Sequence, residues 1–313
     1  MRAAYAFAVA VLTGVFTALP AWSPAWAQDG LLSGTLKTVK DRGTLLLGVR
    51  EAAIPFAFIN RGGEAVGFSV DLCTAIAEDV AKLLNMELLA AGTPAWQRGL
   101  RIRYVPVAPE ARLRMIVSGE IDLECGSTTA NDERAKTVAF SPVFFLAGTK
   151  LLVAADSGIT SYRDLAGKTV VVSTGTTNAG VMRTLANRAA PRFAVFEAPD
   201  LPAAYGMLAA NRAAAFASDD ILLAGMQATR PDGSRFRVVG DYLSYEPYAL
   251  MLRKDDNLFA GLIANSFQRM AQEGSLRAAY NRWFTAKLPN GENLHLPISA
   301  HLAEIYRALG EPD

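Results

Sequence analysis

From residue 44 onward, short apolar runs of strand length alternate with amphipathic stretches of helical length, a rhythm that restricts the chain to α/β architectures with largely parallel sheets. Thr44 to Val49 reads as a strand. Ser69 to Leu84 predicts a helix with Val70, Leu72, Ile76, Val80 and Leu84 on one stripe, and Arg101 to Val107 the next strand. A helix from Glu110 and a strand ending at Cys125 complete one unit. A second unit begins after Phe144 to Thr149: a strand over Thr169 to Val172, a helix from about Asn178, a strand over Arg192 to Phe196, a helix over Leu201 to Ala210, the apolar run Ala213 to Ala217 and a short strand over Phe236 to Val239. Beyond Tyr248 to Leu252 the pattern changes to long helices, Leu258 to Ala271 and Ser275 to Phe284, which predicts a return to the first unit. Ala90 to Gly99 reads as a surface loop. The tail after Lys287 is broken by Pro and Gly before a short helix around Leu302 to Leu309, expected to pack on the first unit.

The N-terminus reads as an address rather than as fold. Arg2 supplies a positive flank, Ala3 to Ala21 is uncharged and apolar, and Ala25-Trp26-Ala27 is a small-x-small cleavage site, so an exported, periplasmic protein beginning near Gln28 is expected. A retained membrane anchor is the alternative, disfavoured by Pro20, Pro24 and the cleavage site. No Cys follows that site, against a lipid anchor. With 31 Lys+Arg against 30 Asp+Glu, nothing suggests nucleic acid as a partner. The 2 His, His295 and His301, both fall in the tail, which argues against His-centred catalysis and the commoner zinc sites; no metal and no cofactor is expected. Cys73 and Cys125 are the only cysteines, and in an oxidising compartment they are either bridged or two buried thiols.

In open parallel sheets ligands sit beyond the carboxyl ends of the strands, and three such ends here carry polar clusters. The first is Ser127, Thr129 and Arg134, within the run Glu124 to Arg134 where a buried strand opens through a hydroxyl-rich turn into a helix. The second is Ser173, Thr174, Thr176 and Thr177, and the third Asp219 with Asp220. Hydroxyls and helix-start N–H groups suit an anion, a guanidinium suits a carboxylate, and Asp219 suits an ammonium. Together they describe an α-amino acid. Taken singly, Thr129, Asn131, Thr177, Asn178 and Asp219 are ordinary helix N-caps; complementary signs at three strand ends are what point to a ligand. Arg50, which ends the first strand, and Arg112, near another strand end, favour a second negative group on that ligand, although each could equally be a surface or ion-paired Arg.

These residues, with Gly48 to Glu51, Gly67-Phe68-Ser69, Leu222 to Gly225, Met251 to Asp256 and Trp283-Phe284, resemble family 3 of the extracytoplasmic solute-binding proteins of ABC importers, from about Gly34 to the end, and most of all its glutamate/aspartate-binding branch. The resemblance implies an α/β, two-lobed periplasmic-binding-protein fold of type II, the Venus flytrap, each lobe a mostly parallel sheet flanked by helices. Lobe 1 would comprise 28–146 and 249–313, lobe 2 147–248, after a signal peptide over 1–27. It also implies a monomeric binding protein, not an enzyme, that captures glutamate or aspartate between the lobes and delivers it to a membrane permease. Arg134 with Ser127 and Thr129 would hold the α-carboxylate and Asp219 the ammonium; Ser173 and Thr176 would line the opposite wall, while Arg50 and Arg112 face the side-chain carboxylate. Two positions depart from the family pattern. Pro109 stands where that branch has a Ser, and Leu201 or a neighbour where it has a His, which leaves aspartate, glutamate or a neutral amino acid open. An exported enzyme of the cyclohexadienyl dehydratase type, with Glu51 or Asp220 as general acid, is the alternative on the same fold.

Overall fold

The computed structural model describes residues 32–188, 192–289 and 291–312. The expected leader and its cleavage site lie outside the described residues. Two five-stranded sheets carry the architecture. The first runs Arg101–Pro106, Thr44–Val49, Leu123–Glu124, Met251–Arg253, Val138–Phe140; the second runs Ala194–Ala198, Thr169–Ser173, Ala215–Asp219, Thr149–Ala154, Phe236–Val239. Helix Phe68–Leu83 packs on the first sheet, with Asn257–Gln272 and Ser275–Phe284 packed against that helix, and Thr177–Asn187, Leu201–Ala209 and Asp220–Thr229 pack on the second sheet. Among the described residues no helix is long and apolar enough to cross a membrane.

The parallel rhythm holds, with one exception in each sheet. Thr149–Ala154 and Met251–Arg253 run antiparallel to both their neighbours. Both are entered from the crossover segments, where Phe145–Ala147 pairs with Glu246–Tyr248. Those segments lie at the carboxyl ends of the parallel strands, so a strand begun there must run the other way. The strand expected over Arg192 to Phe196 is displaced to Ala194–Ala198, because its register is set by pairing with Thr169–Ser173, Thr169 opposite Ala194 and Ser173 opposite Ala198. The helix expected to open after the hydroxyl-rich turn is a single turn, Asp132–Ala135, capped by Asn131, whose side chain accepts from the Arg134 N–H.

The crossover pair is held by an aromatic core. The Phe56 ring meets Phe145 at 4.9 Å and Tyr248 at 5.0 Å, and Phe145 stacks on Phe284 at 4.9 Å. Each such pair contributes on the order of 1 kcal/mol beyond area burial, so the crossover is anchored to the helices of the first sheet. The C-terminal helix Ala300–Ala308 docks on the same place, the Tyr306 hydroxyl donating to the Phe144 carbonyl at 3.0 Å. The loop from Ala90 to Gly99 lies at the surface as expected, its turns tied by the Arg101 guanidinium to the carbonyls of Thr93, Pro94 and Gln97.

Cys73 and Cys125 are bridged, which decides between the two readings left open by sequence. The bond joins the helix Phe68–Leu83 to the end of the strand Leu123–Glu124, just before the hydroxyl-rich turn. It closes a loop with a sequence separation of 52. Replacing both cysteines by Ala is expected to lower stability by about 4 kcal/mol on the loop-closure estimate. Chemical denaturation of the double variant against the oxidised wild type measures this directly.

Candidate functional site

The carboxyl ends of both sets of parallel strands face one cleft. Arg50 follows the strand Thr44–Val49, Arg112 opens the helix Arg112–Ser118, and Ser127 and Thr129 lie in the turn after Leu123–Glu124. Opposite them stand Ser173 at the end of its strand, Thr176, Thr177 and Asn178 at the start of the next helix, and Ser218 and Asp219 at the end of Ala215–Asp219; Leu201 and Leu222 add an apolar wall. The cleft holds about 320 Å³ including its mouth.

Arg50 is the informative side chain. It lines the cleft, is only 6 % exposed, and makes no hydrogen bond among the described residues. Burial, then the neighbouring Arg112 charge, lowers its pKa to about 10, which leaves it fully cationic at neutral pH. Arg112 is likewise buried, its pKa lowered chiefly by desolvation. Its Nη1 donates to the Thr128 hydroxyl at 2.9 Å and its Nη2 to the Gly175 carbonyl at 3.1 Å, while its Nε is buried without a partner among the described residues. Thr128 passes its own proton to Glu124 Oε2 at 2.7 Å. The surface or ion-paired alternative for these two arginines is thereby replaced: both are buried, and neither has a carboxylate within bonding distance among the described residues.

Arg134 is placed differently from its expected role. It is buried but absent from the cleft lining; its Nη1 donates to the Thr129 carbonyl at 2.8 Å and its Nη2 to the Gly175 carbonyl at 3.4 Å. Burial and then Arg112 lower its pKa to about 10. Gly175 thus receives two guanidiniums from the far wall. It has φ 73°, and a Cβ there would stand 2.6 Å from the Glu110 Cα, so only glycine lets the walls approach this closely.

The opposite wall carries the negative charge. Asp219 begins the helix Asp220–Thr229 but caps nothing with its side chain. One of its oxygens accepts from Asn178 Nδ2 at 2.7 Å, the other from the Tyr248 hydroxyl. Burial, reinforced by Glu246, raises its pKa above the usual carboxylate range. The Ser173 hydroxyl is buried, lines the cleft and has no partner among the described residues. Thr176 does serve as an N-cap, accepting from the Ala179 N–H at 3.3 Å and donating to the Ser173 carbonyl at 2.7 Å.

Three polar groups at the site escaped the sequence reading. From sequence, Asn178 reads only as a cap, Tyr248 only as the start of the run that returns to the first unit, and Glu246 carries no motif. Glu246 is 2 % exposed and accepts from Thr129, Thr177 and Ser244, each at 2.6 Å. The available signal was the spacing: residues two apart on a strand point to the same face, so the acid and the phenol were bound to act together. Glu51 and Asp220, the proposed acids of the enzymatic alternative, do not line the cleft. Glu51 is exposed, and Asp220 accepts from the Tyr242 hydroxyl at 2.8 Å and the Gly148 N–H at 3.3 Å.

Two sheets of like topology, joined by two crossover strands and facing each other across a small charged cleft, define a two-lobed binding protein of the periplasmic type II fold. The chain belongs to the bacterial extracellular solute-binding proteins, family 3, which match residues 45–286. It is 35% identical over 88% of its length to the L-glutamate/L-aspartate-binding protein of Pseudomonas aeruginosa, covering 88% of that protein. It is 32% identical over 91% of its length to the glutamate/aspartate import solute-binding protein of Salmonella typhimurium, again covering 91% of it. A solved structure of a mutant ArgBP from T. maritima superposes with a TM-score of 0.68 at 26% identity, over 80% of this chain and 99% of that one. The named relatives are binding proteins, and so is this chain; they do not favour the enzymatic alternative.

Proposed function

We propose that the protein captures L-glutamate or L-aspartate in the cleft and hands it to the membrane permease of an ABC importer. The observation that carries this reading is the buried Arg50 guanidinium, which has no bonding partner among the described residues and is set on the wall opposite Asp219. A ligand with one ammonium and two carboxylates complements both. Arg50 and Arg112 take the side-chain carboxylate. Arg134, trading its long contact to the Gly175 carbonyl, takes the α-carboxylate with Ser127 and Thr129. Asp219 takes the ammonium, and Ser173 and Thr176 close the far wall. The names of the relatives support the same ligand pair. Lobe 1 comprises 28–146 and 249–313 and lobe 2 147–248, hinged at the paired crossover strands. A ligand touching both lobes favours the closed form by its differential affinity, and the permease reads that form. The protein works as a monomer, freed from its leader near Ala27.

A thermal-shift screen of the common amino acids, followed by calorimetry, tests the reading. At a hundredfold excess over Kd, glutamate and aspartate are expected to raise the melting temperature by about 5 °C or more. Glutamine and asparagine are expected to leave it unmoved, since neither offers a second anion to Arg50. A chain that responds to no amino acid would overturn the proposal.

A further inference from the structure

Glu246 lies behind the cleft wall rather than in it, yet two of the groups that line the cleft are bonded to it. The Thr129 hydroxyl from one wall and the Thr177 hydroxyl from the other both donate to its Oε2 at 2.6 Å, and its Oε1 is taken by the Ser244 hydroxyl at 2.6 Å. A carboxylate can only accept, and a hydroxyl has a single proton. With both protons committed to Glu246, Thr129 and Thr177 can offer the cleft only lone pairs. The two oxygens stand 3.4 Å apart and share the cleft lining with Asp219. Two residues further along the same strand, the Tyr248 hydroxyl donates to Asp219 and fixes its carboxylate as well.

We propose that Glu246 is a positioning residue that turns the hydroxyls of Thr129 and Thr177 into acceptors, so that they and Asp219 together receive the ammonium group of the ligand. This rests on the amino-acid reading above and deepens it: the strand Glu246–Tyr248, part of the crossover between lobes, orients the ammonium site. It leaves Thr129 to meet the α-carboxylate through its backbone N–H rather than its side chain. Without Glu246 the hydroxyl protons are free to rotate into the cleft, where they face the ammonium with like partial charge.

The test compares L-glutamate with glutarate, which keeps both carboxylates and lacks the ammonium, by calorimetry on the wild type and on Glu246→Leu, Glu246→Gln and Thr177→Val. In Glu246→Leu the affinity for glutamate is expected to fall about 10- to 100-fold, the scale of hydrogen bonds to a charged group, with glutarate changed less than threefold. Glu246→Gln, whose amide oxygen still accepts a hydroxyl proton, is expected to recover most of the loss. Thr177→Val, which removes one acceptor and leaves the crossover strand intact, is expected to move the glutamate-to-glutarate ratio in the same direction as Glu246→Leu, and it keeps the test open if the leucine variant does not fold. Equal losses for both ligands in Glu246→Leu and Thr177→Val would reduce Glu246 to a structural hinge residue, and unchanged glutamate affinity would overturn the assignment outright. A wild type that binds glutarate but no amino acid would instead overturn the functional reading itself.

Discussion

Replacing Arg50 by Met is expected to weaken glutamate binding by about 10²- to 10³-fold while the ligand-free protein melts no lower than the wild type. The two halves of this result have one cause. An unpaired buried cation contributes nothing to the fold and carries a desolvation penalty of several kcal/mol, here visible as the lowering of its pKa by burial to about 10. Removing it relieves the folded state and leaves no orphaned partner, because no described group bonds to it. The ligand carboxylate, in contrast, loses its counter-ion in a cleft closed to water, which costs on the order of 2–5 kcal/mol. Calorimetry and thermal melts on one preparation check both halves. Glutamate affinity kept within a few-fold would mean that no ligand carboxylate meets Arg50, and a melting point lowered by several degrees would mean that its charge is paired in the native protein.

The second large effect is on pH. Asp219 has its pKa raised by burial first and by Glu246 next, against the opposing hydrogen bonds from Tyr248 and Asn178. In the ligand-free protein, therefore, the protonated form is favoured by folding. That stabilisation is complete below the unfolded value of about 3.9 and is lost as pH rises through the raised folded value. An ammonium at the site reverses the preference, since it demands the ionised form. Protons and ligand thus compete. Affinity for glutamate is expected to fall on acidification, beginning well above pH 4 and approaching tenfold per unit once Asp219 is protonated. Over that range the side-chain carboxylate of free glutamate, with a pKa of about 4.3, stays ionised, so the loss belongs to the protein. Asp219→Asn is expected to lose at least about 10²-fold in affinity at neutral pH, to flatten the pH profile and to melt higher when empty. An unchanged profile in the Asn variant would assign the titration elsewhere.

Much of this site was legible from residues alone because it is built at strand ends. The strands Thr44–Val49 and Phe236–Val239 fall where their patterning predicted them, and the turns that follow parallel strands point to a cleft by topology. Arg50, Arg112, Ser127, Thr129, Ser173, Thr176 and Asp219 all line it, and Arg134 stands just behind. What patterning could not supply was the partner of each group. Asp219 reads as an N-cap because Asp before an apolar helix commonly is one; in the folded chain Tyr248 and Asn178 take its oxygens instead. Arg134 reads as a free clamp, and finds two carbonyls.

The class of fold, the return of the chain to its first half and the sign of charge at each strand end are legible in the residues, since these follow from periodicity and residue type over short stretches of chain. It took the packed fold to show that Cys73 and Cys125 are joined, that one strand in each sheet runs backward, that Arg50 has no partner among the described residues, and that Glu246 faces two threonines from opposite walls. Each of these is a contact between residues far apart along the chain. Their distances and donor directions are set by how the sheets and crossovers pack, and no local pattern encodes them.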